Sequence, residues 1–193
     1  MENYYNPKTG LSGVYSMYRR SRNTSEGQNT YTLAKIKEML AKQEAYQLHK
    51  GRVKTYYFPV IGHGRNSFCC DLMFLDNDRG YTNILCIINL ITRVAYAYPQ
   101  KSKADTYDNL KKWFESVPNV EHLQTDAGSE FTNKKCKELF KDIDYYQVDT
   151  NNAQGKIERF NQTLRRLITI YQSAYKTTKW YDVVPDLLYN YNH

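Results

Sequence analysis

The sequence predicts an α/β fold, a mixed five-stranded sheet with flanking helices behind a small helical segment. Three observations predict it. The composition changes near Ser67: residues 1–70 hold 11 Lys and Arg against 4 Asp and Glu, whereas residues 71–193 hold 16 of each. Beyond that point, apolar strand patterns come first and then alternate with amphipathic helical ones. Within them, "YTNILCIINL" is almost continuously apolar, as a strand covered on both faces must be.

The front of the chain divides into 1–48, a small helical segment, and 49–66, a basic linker. "LSGVYSMYRR" places Leu11, Val14, Tyr15 and Tyr18 on one helical face. "TLAKIKEMLAKQEAY" spaces Leu33, Ile36, Met39, Leu40 and Gln43 by threes and fours, with Thr32 as N-cap. Two short helices bury little, so this piece reads as a helix-turn-helix-like domain or an arm that docks elsewhere. "HKGRVKTYYFPVIGHGRN" is basic and aromatic, suited to touching nucleic acid.

Residues 67–193 form the main domain. "FCCDLMFL" is the first strand, Tyr81–Leu90 the second, and Arg93–Pro99 the third, where Val94, Tyr96 and Tyr98 alternate with Ala95 and Ala97. "KADTYDNLKKWFESV" is a helix with Tyr107, Leu110, Trp113, Phe114 and Val117 on its apolar side. "VEHLQT" and "IDYYQV" are strands around the short helix "NKKCKELF". "GKIERFNQTLRRL" and "KWYDVVPDLLYNYN" are the last helices. Ile157, Phe160, Leu164, Ile168 and Tyr171 make a buried stripe along the first of them. The order β-β-β-α-β-α-β-α-α is that of the ribonuclease-H-like fold.

Net charge is +7, which favours an acidic partner such as nucleic acid. "MENYYNPKTG" lacks the apolar region of a secretory signal, and no apolar run approaches a membrane span. None of the four cysteines has CxxC spacing, and the three in apolar strand-like runs read as buried thiols, which favours a reducing, intracellular setting.

Three carboxylates stand out by position. Asp71 interrupts an apolar strand, where a lone charge is expensive. Asp126 ends the strand "HLQT", with Gly128 allowing a tight turn or close approach. Glu158 opens a helix. If the first and fourth strands are neighbours, Asp71 and Asp126 point to one place, and a helix across that edge adds Glu158. Mutually repelling carboxylates suit Mg²⁺ or Mn²⁺, and two such ions can activate a hydroxyl and stabilise a leaving oxygen. Each acid alone could equally be a paired structural acid, a turn cap or a first-turn helix acid.

"CDLMFL", "LQTDAGSEF", "NNAQGKIERFNQTLRRL" and "LLYNYNH", in this order, resemble the retroviral-type integrase and DDE transposase superfamily. Within it the chain looks most like the integrases of Polinton/Maverick elements and related viruses, whose core follows a segment like Ile36–Lys50. The resemblance implies that Asp71, Asp126 and Glu158 are the catalytic triad holding two Mg²⁺ or Mn²⁺ ions. It implies DNA contacts at Gln154, Asn161, Gln162 and Arg165, to which Lys156 is added. It implies metal-dependent 3′-end processing and strand transfer, DNA and further copies of the chain as partners, and a site of action in a host nucleus or an element or viral particle. Gln162 stands where the family carries lysine. Thirty-one residues separate Asp126 from Glu158, fewer than in the retroviral pattern. His49 and His63 precede only the adjacent Cys69–Cys70 pair, so zinc is not expected. A chromodomain or SH3-like domain often follows such a core, and the chain is expected to be a piece of a longer protein. A ribonuclease-H-type nuclease using Asp105, Asp108 or Glu115, and a non-catalytic domesticated DNA-binding protein, are the alternatives.

Overall fold

The computed structural model describes residues 4–8, 10–22, 31–49, 64–148 and 155–193. They fall into two compact units. One is Met1–Thr55 with Arg165–Asn190, and the other is Tyr56–Leu164 with Tyr191–His193.

The second unit holds the sheet. Strands β1 (Ser67–Asp78), β2 (Tyr81–Asn89), β3 (Ala95–Gln100), β4 (His122–Thr125) and β5 (Asp144–Gln147) lie in the order β3-β2-β1-β4-β5. β2 runs antiparallel to both β1 and β3, and β4 joins β1 in parallel, as does β5 with β4. The fold is α/β and ribonuclease-H-like. Strand alternation divides β1 between two faces. Phe68, Cys70 and Leu72 join Leu85, Ile87 and Leu123 on one face, under Leu110 and Trp113 of α4 (Thr106–Ser116). Trp113 meets Phe68 edge to face at 5.0 Å. Cys69, Asp71 and Met73 point the other way, opposite Ile88, Cys86 and Ile84.

Polar groups join α4 to the sheet inside this core. Gln100 Nε2 donates to Asn83 Oδ1 (2.6 Å) and Thr106 Oγ1 (2.9 Å), and Asn109 Nδ2 donates to Gln100 Oε1 (3.0 Å). All four side chains are buried, and each satisfies another. The four cysteines are buried free thiols, as the apolar runs predicted for Cys69, Cys70 and Cys86.

Several boundaries differ from expectation. The third strand begins at Ala95. Arg93 has φ 66° and belongs to a turn that Asn89 caps through Ile91 N–H and Thr92 N–H. The Val94 alternation was therefore a turn residue imitating a strand. A helical turn, α5 (Ser129–Thr132), precedes α6 (Lys134–Leu139) where only a loop was expected. The helix α7 spans Gly155–Tyr175, and α8 spans Val184–Asn192.

The first unit contains α1 (Val14–Arg22), α2 (Leu33–Ala41) and α3 (Glu44–Leu48). Thr32 caps α2 by accepting from Lys35 N–H at 3.2 Å. The expected single helix breaks at Lys42–Gln43. Leu11 lies before α1, buried at φ 51°, and Tyr15 faces solvent, so neither joins the apolar face read from the pattern. Tyr4, Ile36 and Leu40 form a small core. The C-terminal segment completes it. Asn190 Nδ2 donates to Pro7 O (3.1 Å) and Gly10 O (2.7 Å), and Arg20 donates to Asn190 O (3.2 Å) and to its side-chain oxygen. Arg166 Nε donates to His49 O at 3.1 Å. Among the described residues, no helix is long and apolar enough to cross a membrane.

Candidate functional site

The pairing of β1 with β4 covers only Ser67–Cys69, with Cys69 level with Gln124. Carried two residues further, that register leads to Asp71 and Asp126, and the charge of Asp126 acts on Asp71. β4 ends at Thr125, so among the described residues β1 has no paired strand on that side at Asp71. The gap lies outside the carboxyl ends of two parallel strands, where α/β sheets commonly bind ligands.

Asp71 is half-buried. Its Oδ1 accepts from Leu72 N–H (2.8 Å) and its Oδ2 from Asn161 Nδ2 (2.8 Å). Burial above all, then the charge of Asp126 and more weakly those of Glu158 and Glu130, pushes its pKa up to about 6. The Leu72 hydrogen bond works in the opposite direction. Asp126 Oδ1 accepts from Gly128 N–H (3.1 Å), which fixes it at the turn. Glu158 lies in the first turn of α7, whose Ile157, Phe160 and Leu164 are buried. Burial first, then the charges of Asp71, Asp126 and Glu158, drives the Cys69 thiol upward, so all three charges act on that thiol. Among the described residues, no group of three or more His, Cys, Asp and Glu side chains is arranged to hold a metal ion. Chemically, the three expected acids offer oxygen donors that repel one another.

Gly128 does not work through a left-handed backbone, because its φ is −58°. It works through space. A Cβ there would lie 2.8 Å from Glu130 Cδ and 2.9 Å from Asp126 Oδ1. Glu130 is a fourth carboxylate, buried and paired with Lys103 Nζ at 3.1 and 3.3 Å. Sequence reading missed it. The pair joins residues 27 positions apart, and only a buried acid directly before Phe131 hinted at it.

The remaining candidates are dispersed. Gln154 lies outside the described residues. Asn161 gives its amide N–H to Asp71, and its Oδ1 is buried with no partner among the described residues. Lys156 Nζ donates to Leu90 O at 2.8 Å, and burial followed by Arg93 lowers its pKa. Gln162 is exposed. Arg165 is exposed and falls in the helical unit. Of the acids weighed for a ribonuclease-H-type site, Asp105 caps a turn by accepting from Lys101 N–H (2.8 Å) and Ser102 N–H (3.0 Å), and Asp108 and Glu115 face solvent. His49 meets Ser173 Oγ at 2.8 Å, and His122 lies 3.2 Å from Asp144; His63 is outside the described residues.

No protein-family model matches the sequence, and no curated protein does. A solved structure does. The chain is similar to one in the cryo-EM structure of the simian T-cell lymphotropic virus intasome in complex with PP2A regulatory subunit B56 gamma. Identity is 12%, the TM-score is 0.61, and the match covers 92% of this chain and 67% of the other. At that identity the likeness is one of fold, shared with a chain of a viral intasome assembly.

Proposed function

We propose that the chain is a metal-dependent polynucleotidyl transferase of the integrase kind, acting on DNA. The observation that supports this reading is the charge of Asp126 and, more weakly, of Glu158 acting on Asp71, just beyond the Cys69–Gln124 pairing of β1 with β4. The fold likeness to a viral intasome chain supports it.

The chemistry of the donor set suits Mg²⁺ or Mn²⁺, which would draw together three acids not arranged around one ion among the described residues. The set is all oxygen and half-buried, and burial first, then the charge of Asp126, raises Asp71. The unpartnered Asn161 Oδ1 is a further acceptor beside it. Two such ions held by Asp71, Asp126 and Glu158 would supply activation of the attacking oxygen and stabilisation of the leaving one. The chain's own residues orient this set. Asn161 and Leu72 N–H hold Asp71, and Gly128 N–H holds Asp126. Lys103 balances Glu130, so the fourth acid adds little to the repulsion. In the first reaction, water breaks a phosphodiester near a DNA 3′ end. In the second, the freed 3′-hydroxyl attacks a target phosphodiester, forming one such bond for each broken. Joining two ends needs two active sites held together, so the working form is a dimer or larger.

Glu158→Gln tests the reading. It should lower Mg²⁺-dependent strand transfer by more than the roughly 10–100-fold that follows loss of a ligand's supporting partner. Full activity of that variant on a DNA-end substrate would sink the triad. An RNA–DNA hybrid assayed in parallel separates a ribonuclease-H-type nuclease, which the capping role of Asp105 disfavours.

A further inference from the structure

The turn between β2 and β3 gathers positive charge beside the start of α7. Three tethers make the cluster. Lys156 Nζ donates to Leu90 O at 2.8 Å. Tyr191 packs edge to face on Phe160 at 4.8 Å. Asn192 Oδ1 accepts from Ala95 N–H and its Nδ2 donates to Ala95 O, both at 2.9 Å. The turn, the first turns of α7 and residues 191–192 therefore meet at one place within the sheet unit.

Arg93, Lys156 and Arg159 converge there. Arg93 acts electrostatically on Lys156, and Arg93 and Arg159 both act on Tyr191. Arg93 is exposed, and its guanidinium makes no hydrogen bond or ion pair among the described residues. It also sits at φ 66°, where an L side chain is strained by on the order of 1 kcal/mol. A glycine or asparagine would satisfy that turn more easily. Arg93 in its strained turn thus stands beside Lys156 and Arg159 of α7, and gathering like charges costs energy because they repel. They suit a polyanion.

We propose that Arg93, Lys156 and Arg159 form a phosphate-binding cleft that grips the DNA backbone beside the reacting phosphodiester. The identity of the anion rests on the polynucleotidyl-transfer reading. Glu158 lies between Lys156 and Arg159 in sequence. The gripped phosphates are thus about a helix width from the carboxylates, roughly 10 Å. That is about three base steps along a strand. Ile91 and Val94, exposed on the same turn, flank the cleft with apolar surface.

The test measures DNA affinity of the full chain in EDTA, using a labelled blunt-ended duplex, between about 50 and 200 mM salt. Arg93→Asn removes the charge without adding strain, because asparagine tolerates the left-handed region. Arg93→Asn and Arg159→Gln should each flatten the slope of log affinity against log salt by about 0.9, and together by about twice that. Arg93→Lys and Arg159→Lys should restore it, and melting temperatures of all variants should stay near wild type. An unchanged slope in the double variant, lysine variants that behave like the neutral ones, or a wild-type chain that binds no duplex would each overturn the proposal. Binding in EDTA is independent of chemistry. Flattened slopes in a chain with no strand transfer would keep the cleft and reject the transferase. Loss of transfer in Glu158→Gln with unchanged slopes in the arginine variants would do the reverse.

Discussion

Asp71 carries more of the site's energetics than its neighbours. Its folded pKa of about 6 stands above the ordinary 3.8, so the charged form burdens the folded chain. The stability linked to this group is full below about pH 4 and is lost as pH rises through about 6. Asp71→Asn should therefore raise the melting temperature of metal-free protein at neutral pH. The gain should be on the order of 1–2 kcal/mol after allowing for partial exposure. It should shrink toward zero near pH 4, and parallel melting curves across that range would refute the assignment. This residue was legible in the sequence because a carboxylate inside "FCCDLMFL" has no cheap structural role. Its partner Asn161, 90 positions away, was expected to touch DNA and gives its amide to Asp71. Nothing local marks such a contact. Glu130 and Lys103 escaped for the same reason.

At the scale of elements, strand β2 and the strand-to-helix order were readable because burial on both faces leaves a continuous apolar run. The polar network that locks α4 to the sheet was not, since Asn83, Gln100, Thr106 and Asn109 look like surface residues in isolation. Gln100 is 1% exposed and serves three partners. Gln100→Leu should cost roughly 2–4 kcal/mol, because it leaves buried donors and acceptors unpaired. Chemical denaturation would read the loss, and a change under about 0.5 kcal/mol, as at an ordinary surface position, would show the network to be incidental. The alternation that misplaced the third strand has a physical origin too. Val94 continues the apolar rhythm, but Asn89 has already turned the backbone two residues earlier.

Across the whole molecule, the two units differ in how their chain is drawn. The sheet unit is largely one continuous stretch, Tyr56–Leu164. The helical unit combines residues 1–55 with residues 165–190, a pairing no local pattern announces. Asn190 is its staple. Asn190→Ala removes donors to Pro7 and Gly10 and an acceptor for Arg20, at about 2–3 kcal/mol. Hydrogen exchange should quicken across residues 4–49 while the sheet keeps its protection; uniform quickening in both units would contradict the division.

That staple has a consequence during synthesis. Ribosomes add roughly 5–20 residues per second, so the segment holding Asn190 emerges some ten seconds after α2 and α3. Tyr4, Ile36 and Leu40 can already pack against Val14, Met17, Tyr18 and Tyr46, but Pro7, Gly10 and Arg20 still wait for Asn190. The nascent chain can complete its sheet first while its own beginning waits, a window in which chaperones would find the N-terminal helices.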